Sequence, residues 1–393
     1  MPTHDLLFTY DFPPLGGGIS RWMEELARGY PPESLVVSTG TVADQDEVDR
    51  ALPNRVDRLP ISTHRLKTLQ GLLLWSRRAA SLGRDPAARF AWCGNIRPAG
   101  YPAKWAWERV GLPYGILLHG GDLLQIRPKL RRSGLKRRTY KPLFDSAAAI
   151  VANSRWTADL CRQLLAELRL DAAAERVTVV PLGTDPDRFR PDPEAARAFR
   201  ARRDLPEGRW LVTVARLVPH KGIDTGIEVL ARLVDEHPDL RYAVIGRGTY
   251  GDALIALAEE LGVADRVHIL SDVGDDELPG AFAMAEVYLG LSREVGLDAE
   301  GFGIALLEAG ACGVPVVAGA SGGIADAVAE GETGMLVTPG DPEPAADAVR
   351  HLLNDPVLAR RLGDAARTRV EQRFTWRRVV DDLRALAAAH GRS

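Results

Sequence analysis

Long apolar runs are missing from this sequence. No stretch approaches about 18 consecutive apolar residues, which is the length that a membrane-spanning helix needs. The N-terminal segment Met1–Tyr10 contains neither Lys nor Arg and no long apolar run, so it does not resemble a signal peptide. We therefore expect a cytoplasmic protein, and a peripheral position at the inner face of the membrane stays open.

Cysteine and net charge are also scarce. The chain of 393 residues has three cysteines, Cys93, Cys161 and Cys312, which are too few and too far apart for a disulfide framework or a CxxC zinc site. We expect each of them to be a small buried residue. The formal net charge of −3 provides no basic field for nucleic acid, which we exclude as a partner.

Metal ligands in a recognisable spacing are absent too. The acidic stretches Asp185–Asp187 and Asp272–Asp276 lack the spacing of a calcium loop and a matching set of further ligands. A transferase that holds a metal through an Asp-x-Asp motif is not supported. We expect no metal and no other cofactor.

Short apolar runs alternate with longer amphipathic runs throughout the chain, which predicts an α/β fold with parallel sheets. The segment Gly183–Pro193 contains three prolines and several turn formers, and we interpret it as an interdomain linker. Two doubly wound halves would then face each other across a cleft, where such folds bind ligands. The predicted strands are Leu6–Thr9, Leu35–Ser38, Phe90–Cys93, Tyr114–Leu118, Ala147–Ala152 and Val177–Val180 before the linker, and Trp210–Val214, Tyr242–Ile245, Val267–Leu270, Val287–Leu291, Pro315–Ala318 and Gly334–Val337 after it.

Two glutamates, Glu300 and Glu308, flank a glycine-containing turn and the start of an apolar, helix-forming run. A helix N-terminus offers free N–H groups and a positive dipole end to a phosphate, and Gly303 permits close approach of backbone to a ligand. The two carboxylates could accept hydrogen bonds from sugar hydroxyls on either side of that phosphate. The pattern indicates a nucleotide-sugar site, although two ordinary surface acids would give the same letters.

Cations and glycines follow other predicted strands. Arg216 and Lys221 come after the first strand of the second half, where they could neutralise a diphosphate. Gly16-Gly17-Gly18 precedes a predicted helix, and its N–H groups could reach an anion. His119 ends another strand and could orient a substrate oxygen. Each of these motifs also has a structural alternative. The two cations could be solvated, the glycines could form a tight turn, and the histidine could be structural.

The stretch Gly246–Gly251 has the spacing of a dinucleotide fingerprint, with Asp272 downstream. A lone motif of this kind is weak evidence, and it occupies the second strand–helix unit of its half, whereas the fingerprint usually occupies the first. An NAD-linked oxidoreductase remains a remote alternative.

Eight cations and no acid lie between Arg127 and Lys141. This segment is either a solvated helix face or a patch for an anionic acceptor or an anionic membrane. Arg65–Arg78, with Leu66, Leu69, Leu72, Leu73 and Trp75, is predicted to be a packed helix, with an interfacial helix as the alternative. The candidate patch for an anionic acceptor or membrane consists of Arg131, Arg132, Arg137 and Arg138.

The order of these motifs resembles the retaining GT-B glycosyltransferases of glycosyltransferase family 4, over nearly the whole chain. Within that family the chain is most similar to actinobacterial phosphatidylinositol-mannoside mannosyltransferases, which use GDP-mannose. The segments that carry the resemblance are Phe12–Ile19, His119-Gly120, Asn153-Ser154, Pro181–Phe189, Ala215–Gly222, Val244–Gly248, Asp298–Glu308 and Gly313–Ala318.

The resemblance implies a GT-B fold with an acceptor-binding domain, residues 1–187 plus a returning helix 376–393, and a donor-binding domain, residues 188–375. It implies a metal-independent enzyme that moves a hexosyl group, with retention, from a nucleotide sugar to a lipid-linked or glycan acceptor. Mannose from GDP-mannose is the expected donor group. UDP-glucose or UDP-N-acetylglucosamine transfer to a polysaccharide or natural product is the alternative, and a catalytically silent nucleotide-sugar-binding subunit is a second one.

The family's residue roles carry over to the matching positions. Arg216 and Lys221 would bind the diphosphate and stabilise the leaving group. Glu300, with the backbone of Phe302, Gly303 and Ile304, would hold the sugar and the β-phosphate, and Glu308 would hold the ribose. The resemblance also places His119 at the sugar, Gly17 and Gly18 near the diphosphate, and Arg247 near the base.

Overall fold

The computed structural model describes residues 3–61 and 65–392, and the chain folds into two compact units. The N-terminal unit comprises Met1–Leu182 and Trp376–Ser393, and the C-terminal unit comprises Gly183–Thr375. The chain therefore first passes from the N-terminal unit to the C-terminal unit at the start of the predicted linker segment. Each unit is a parallel sheet with helices, which confirms the predicted α/β class.

The N-terminal unit contains, within its described residues, a seven-stranded parallel sheet in the order β3-β2-β1-β4-β5-β6-β7. Residues of neighbouring strands pair in register, as Leu6 does with Val36 and with Ala91. The strands are β1 (His4–Phe8), β2 (Leu35–Gly40), β3 (Arg55–Leu59), β4 (Ala88–Cys93), β5 (Tyr114–Leu118), β6 (Ala149–Ala152) and β7 (Val177–Val179). The helices are α1 (Gly18–Gly29), α2 (Gln45–Ala51), α3 (Arg65–Leu82), α4 (Gly100–Val110), α5 (Gly121–Arg132), α6 (Gly134–Ser146), α7 (Arg155–Glu167) and α8 (Asp171–Ala174).

Apolar side chains on both faces of the central strands form the core of this unit. All five residues of β5 are buried, because helices cover the sheet on both sides. The α7 helix begins after Ser154, whose hydroxyl accepts a hydrogen bond from the backbone N–H of Thr157. Cys93 and Cys161 are buried free thiols, as Cys312 is in the other unit, which confirms the expectation for the cysteines.

The C-terminal unit has, among its own described residues, a six-stranded parallel sheet in the order β10-β9-β8-β11-β12-β13. The strands are β8 (Arg209–Val214), β9 (Leu240–Ile245), β10 (Val267–Leu270), β11 (Val287–Gly290), β12 (Val316–Gly319) and β13 (Gly334–Val337). The helices are α9 (Pro193–Arg202), α10 (Ile223–Leu233), α11 (Gly251–Glu260), α12 (Leu278–Ala283), α13 (Ile304–Ala311), α14 (Ile324–Ala327), α15 (Pro342–Asn354) and α16 (Pro356–Arg373). The order reverses between β8 and β11, which makes that edge the topological switch point of this unit.

The predicted linker segment is folded. Phe189 is fully buried against Phe282, with ring centroids 5.6 Å apart. Thr184 forms a β-bridge with Thr375, beside the two positions at which the chain leaves the C-terminal unit.

The last helix, α17 (Trp376–His390), packs against α1 and β4 of the N-terminal unit. A Cβ atom at Gly29 would come within 2.7 Å of Val380, so glycine permits the close approach of α1 and α17. Beyond the helix, Arg392 donates hydrogen bonds to the carbonyls of Gly83 and Val110. The chain therefore returns to its first unit.

Candidate functional site

The loops after β8 and β11 meet at the switch point of the C-terminal unit. The loop after β8 carries Arg216, which is exposed, and Lys221, which ends a 3-10 turn formed by Pro219–Lys221. Gly222 follows with φ 66°, and a Cβ atom there would lie 1.9 Å from the carbonyl oxygen of Leu291. Glycine is therefore required for the β8–α10 loop to pack on the backbone that leaves β11.

Lys221 and Glu300 form an ion pair across these two loops, with side-chain exposures of 17% and 19%. Burial by itself raises the pKa of the Glu300 carboxyl, but the nearby Lys221 ammonium outweighs it and holds that pKa below its usual range. Burial and the neighbouring Lys221 lower the pKa of His220. Glu300 therefore stays ionised beside a cation near neutral pH.

Backbone contacts fix the segment that follows Glu300. The Gly323 N–H donates to the Glu300 carbonyl at 2.9 Å, and a Cβ atom at Gly322 would lie 2.1 Å from that same oxygen. Phe302 is buried, with its ring centroid 6.0 Å from that of Phe374. Gly303, with φ 91°, then immediately precedes α13. The turn thus presents the N–H groups of the first turn of α13, which begins at Ile304, beside the Lys221–Glu300 pair.

Glu308 lies inside α13 and is 3% exposed. The charge of its carboxylate adds to burial in raising the pKa of the Cys312 thiol to about 12. A buried carboxylate on the helix that begins at the switch point differs from the solvated surface acid that the sequence left open. Glu308 is more deeply buried than Glu300, the other acid predicted to bind ligand.

The glycine motif Gly246–Gly251 serves loop packing. A Cβ atom at Gly246 would lie 1.9 Å from the Ala215 carbonyl oxygen, and one at Gly248 would lie 2.2 Å from that of Leu217. Arg247 between them is exposed, and its Nε donates to the Ser271 carbonyl at 2.5 Å. These glycines bring the β9–α11 loop against the β8–α10 loop and place Arg247 at the end of β10.

A second ion pair at the switch point was not predicted from the sequence. The Arg293 guanidinium donates to both oxygens of Asp224, at 2.7 and 2.5 Å, and to the Thr225 hydroxyl at 3.1 Å. Asp224 also accepts from the Tyr250 hydroxyl at 3.2 Å. The only local signal for Arg293 is its position just after a buried strand, because its partner lies on another strand–helix unit.

In the N-terminal unit, the glycines that follow β1 are exposed at the start of α1. Gly17, with φ 122°, is the residue immediately before the helix, and Gly18 is its first residue. A Cβ atom at either position would meet no described atom within 4 Å, so space does not require glycine there. The positive φ does require it at Gly17, and the first turn of α1 is left open for a ligand to approach.

His119 immediately follows β5 and is half-buried, with its ring against Trp22 at 4.8 Å between centroids. Its Nε2 lies 2.6 Å from the Gly94 carbonyl oxygen. A carbonyl only accepts hydrogen bonds, so Nε2 carries the hydrogen and a neutral ring presents Nδ1 as an acceptor. Asp122 accepts from the His119 backbone N–H at 3.3 Å, and burial raises the pKa of the Asp122 carboxyl despite the nearby histidine.

Part of the basic segment is paired with an acid that is distant in sequence. Glu167 accepts hydrogen bonds from Arg127 at 2.9 Å and from Arg131 at 2.6 Å. The bond from Arg131 is the largest cause of a Glu167 pKa lowered to about 2. Arg137 donates to the Glu167 carbonyl at 3.0 Å. All four arginines of the predicted patch are exposed, and two of them, Arg131 and Arg137, contact the end of α7.

The predicted helix at Arg65–Arg78 is confirmed as α3, and it has two kinds of face. Trp75 is fully buried, and its indole N–H donates to the Ser38 hydroxyl at 3.0 Å. Leu69 and Leu73 are 76% and 42% exposed, and the side chain of Leu66 lies outside the described residues. Packing and an apolar surface therefore coexist on this helix.

Residues 3–61 and 65–392 contain neither a metal-binding cluster nor a membrane-spanning helix. No group of three His, Cys, Asp or Glu side chains in these ranges is suited to a metal ion. None of the described helices combines the length and hydrophobicity that crossing a bilayer requires.

Two family descriptions match the chain: "Glycosyl transferase 4-like domain" over residues 17–183 and "Glycosyl transferases group 1" over residues 197–369. The chain is 34% identical to the GDP-mannose-dependent alpha-(1-6)-phosphatidylinositol monomannoside mannosyltransferase of Mycolicibacterium smegmatis, with 95% of each chain covered. It is 31% identical to the Mycobacterium tuberculosis protein of the same name, covering 98% of this chain and 99% of the relative. The chain belongs to the group 1 glycosyltransferases. Membership in this family decides against the NAD-linked oxidoreductase.

Solved glycosyltransferase structures share the fold of this enzyme. Anabaena HepE in complex with UDP superposes with a TM-score of 0.80 at 19% identity, covering 98% of this chain and 100% of that one. Sucrose-phosphate synthase from Thermosynechococcus elongatus superposes with a TM-score of 0.78 at 20% identity, covering 98% of both chains. At these identities the likeness concerns the fold alone, and it confirms the GT-B prediction.

Proposed function

We propose that this glycosyltransferase moves mannose from GDP-mannose to a phosphatidylinositol mannoside, with retention of configuration and without a metal ion. The curated relatives support the donor and the acceptor class, because mycobacterial proteins named for this reaction align over almost the whole chain. A Corynebacterium glutamicum relative, 29% identical over 94% of this chain, is named for a monoacylated form of the same acceptor.

The observation that carries the proposed chemistry is the Lys221–Glu300 pair at the switch point, beside Arg216 and the start of α13. Open α/β sheets bind ligands at this edge. The Lys221 ammonium has three N–H donors, and the bond to Glu300 uses one, so two are available for phosphate oxygens. A cation held by an acid on the neighbouring loop is preorganised for an anionic ligand.

In this proposal the diphosphate binds to Lys221, Arg216 and the N–H groups of Gly303 and Ile304. As the glycosidic bond breaks, negative charge develops on the leaving β-phosphate, and the two cations stabilise it in place of a metal ion. The N-terminal end of α13 adds its positive dipole. In the N-terminal unit, Gly17 and Gly18 offer the N–H groups at the start of α1 to an anion.

The sugar and ribose are held by acceptors. Glu300 and the Phe302 backbone position the mannose, and Glu308 accepts hydrogen bonds from the ribose hydroxyls. In the N-terminal unit, His119 offers Nδ1 as a hydrogen-bond acceptor to a substrate hydroxyl, because its Nε2 is committed to Gly94. Arg247 lies near the base. Because Glu300 already pairs with Lys221, it positions the sugar and is not the nucleophile. The leaving phosphate deprotonates the acceptor hydroxyl, which attacks from the same face of the sugar.

We also place a membrane contact on the N-terminal unit. The α3 helix packs on α4, α4 packs on α6, and α6 packs on α5, so the exposed leucines of α3 and the exposed cations of α5 and α6 lie on one series of contacting helices. Leu135, between Arg132 and Arg138, is 74% exposed. Apolar side chains interleaved with cations suit the interface of an anionic bilayer, where a lipid-linked acceptor is found.

Calorimetric titration of the purified protein with GDP, UDP and ADP, in the presence of a chelator, tests the donor. Micromolar binding of GDP, with at least tenfold weaker binding of the others, is the expected result. A preference for UDP would move the assignment to glucosyl or N-acetylglucosaminyl transfer. Binding of none of the three would contradict the proposed function.

A further inference from the structure

We propose that Arg293 is a positioning residue, whose salt bridge to Asp224 holds the two loops of the Lys221–Glu300 pair in register for the nucleotide diphosphate. The nucleotide part of this inference rests on the proposed function. Its structural part concerns only how the two loops are held together, and it can be tested without a ligand.

Arg293 connects the loops in two ways. Its backbone N–H donates to the His220 carbonyl at 2.9 Å, next to Lys221 in the chain. Its guanidinium then reaches Asp224, in the first turn of α10, just after the same loop. Arg293, on the β11–α13 loop, thus hydrogen-bonds to the β8–α10 region on both sides of Lys221.

The side chain of Arg293 forms three hydrogen bonds at the start of α10. Nη1 donates to Asp224 and to the Thr225 hydroxyl, and Nη2 donates to the second carboxylate oxygen of Asp224. The opposite charge of Asp224 neutralises the guanidinium, with side-chain exposures of 22% and 18%. Although burial alone would raise it, the pKa of the Asp224 carboxyl lies below its usual range beside Arg293. We therefore infer that the neutralised pair acts by positioning the loop that carries Lys221.

Geometry makes this position sensitive. The Gly222 Cα hydrogens face the Leu291 carbonyl at a distance that admits no Cβ atom, so the loops touch directly through backbone. Without the planar fork of Arg293, that contact can slide, and the Lys221 ammonium moves relative to Glu300 and to α13. A displacement of about 1 Å at a reacting centre can reduce the rate roughly 100-fold.

The first arm of the test compares Arg293→Lys with Arg350→Lys. Lysine keeps the charge but cannot form the fork, so only bidentate positioning is lost. Arg350 forms a comparable surface pair with Glu236 in the same unit and serves as the matched control. We expect GDP to bind Arg293→Lys at least about 10-fold more weakly, and Arg350→Lys to bind it like the native protein. Equal GDP binding by native protein and Arg293→Lys overturns the proposal.

The second arm needs no ligand. The coupling between Lys221 and Glu300 is measured by urea unfolding of Lys221→Met, Glu300→Gln and the double variant, in the native background and with Arg293→Lys. We expect the coupling to fall at least fivefold, as an equilibrium constant, with Arg293→Lys and to persist with Arg350→Lys. Coupling that is unchanged by Arg293→Lys overturns the inference. If the coupling falls while the native protein binds no GDP, the proposed donor is wrong and the positioning role stands.

A variant that does not fold leaves the test intact. Thermal unfolding identifies such a variant, and Asp224→Asn then replaces Arg293→Lys in both arms, because asparagine keeps the shape and one acceptor of Asp224. The same losses are expected with Asp224→Asn, and native-like GDP binding and coupling in that variant overturn the proposal.

Discussion

Lys221 and Glu300 lie 79 positions apart in the chain, and their side chains meet in an ion pair. Their residue types indicate what each can bind, since an ammonium suits phosphate and a carboxylate suits sugar hydroxyls. That each is the other's partner depends on the switch-point topology, which places the ends of β8 and β11 side by side. Mutations can therefore separate the contribution of this ion pair to stability from its proposed role in binding.

Lys221→Met should destabilise the C-terminal unit by about 1–3 kcal/mol, because it leaves the Glu300 carboxylate half-buried without its cation. The folded-state pKa of Glu300 is lowered, so the stabilisation is fully present above the unfolded-state pKa of about 4.3. It is lost as the pH falls through the lowered folded-state value. Urea unfolding between pH 7 and pH 3 measures this. The double variant Lys221→Met/Glu300→Gln should regain stability at pH 7, and a double variant less stable than Lys221→Met would contradict the account.

Glu300→Gln should reduce the rate of sugar transfer by about 10- to 100-fold, since the amide still occupies the sugar site but lacks the charge that pairs with Lys221. Removal of an enzymatic nucleophile costs far more, on the order of 10⁶-fold. Initial rates of donor turnover measure the loss, and intact-protein mass spectrometry after donor addition looks for a glycosyl adduct. An adduct on Glu300 of the native enzyme would show that this residue is the nucleophile.

At the scale of single elements, the α13 helix and the turn before it form the proposed donor site of the C-terminal unit. Gly303→Ala should weaken GDP binding, because φ at this position is 91° and the new methyl group would lie 2.6 Å from Leu306. Gly262→Ala is the matched control, with φ 71° and no described atom within 4 Å of the added Cβ. Both variants should lose about 1–2 kcal/mol of stability from the left-handed backbone. Calorimetry should find weaker GDP binding in Gly303→Ala alone, and equal affinity in both variants would speak against the α13 site.

The α5–α6 segment is the element that we assign to the membrane. Arg132→Glu with Arg138→Glu should reduce binding to vesicles containing phosphatidylglycerol by more than about 10-fold, since each basic residue near an anionic surface contributes about 1 kcal/mol. Arg197→Glu with Arg361→Glu, two exposed positions in the C-terminal unit, is the control. Cosedimentation at low and high salt measures the binding. Unchanged vesicle binding by the α5–α6 variant would remove the membrane contact from the account.

Elements differ in how far the sequence predicts them. Strands buried on both faces, such as β5 and β12, are continuous apolar runs and are predictable. The edge strand β3 is not, because its sequence Arg-Val-Asp-Arg-Leu is charged and its buried Asp57 pairs with Arg78, which lies on another element. The Arg293–Asp224 pair is also not predictable from the sequence, because its partners are 69 positions apart in the chain. Sequence order thus indicates the residue types at the site, and topology determines which of them pair.

For the whole molecule, the balance of charge matters less than its distribution. The net charge of −3 excludes a global basic field, yet cations gather on α5 and α6 of the N-terminal unit, and Arg216 and Lys221 lie at one edge of the C-terminal sheet. Each unit has its own core and its own switch point, with His119 and the glycines of α1 in one and the Lys221–Glu300 pair in the other. A transferase that handles a charged donor and a lipid-linked acceptor needs both kinds of surface.

The most direct test of the account is the transfer reaction itself. Purified protein is incubated with GDP-mannose and vesicles containing phosphatidylinositol monomannoside, with a chelator present, and the product is isolated for NMR of the new linkage. We expect a mannosylated lipid with the α configuration of the donor, formed at an undiminished rate in the chelator. A product of β configuration, a requirement for added metal, or transfer from UDP-glucose in preference to GDP-mannose would contradict it.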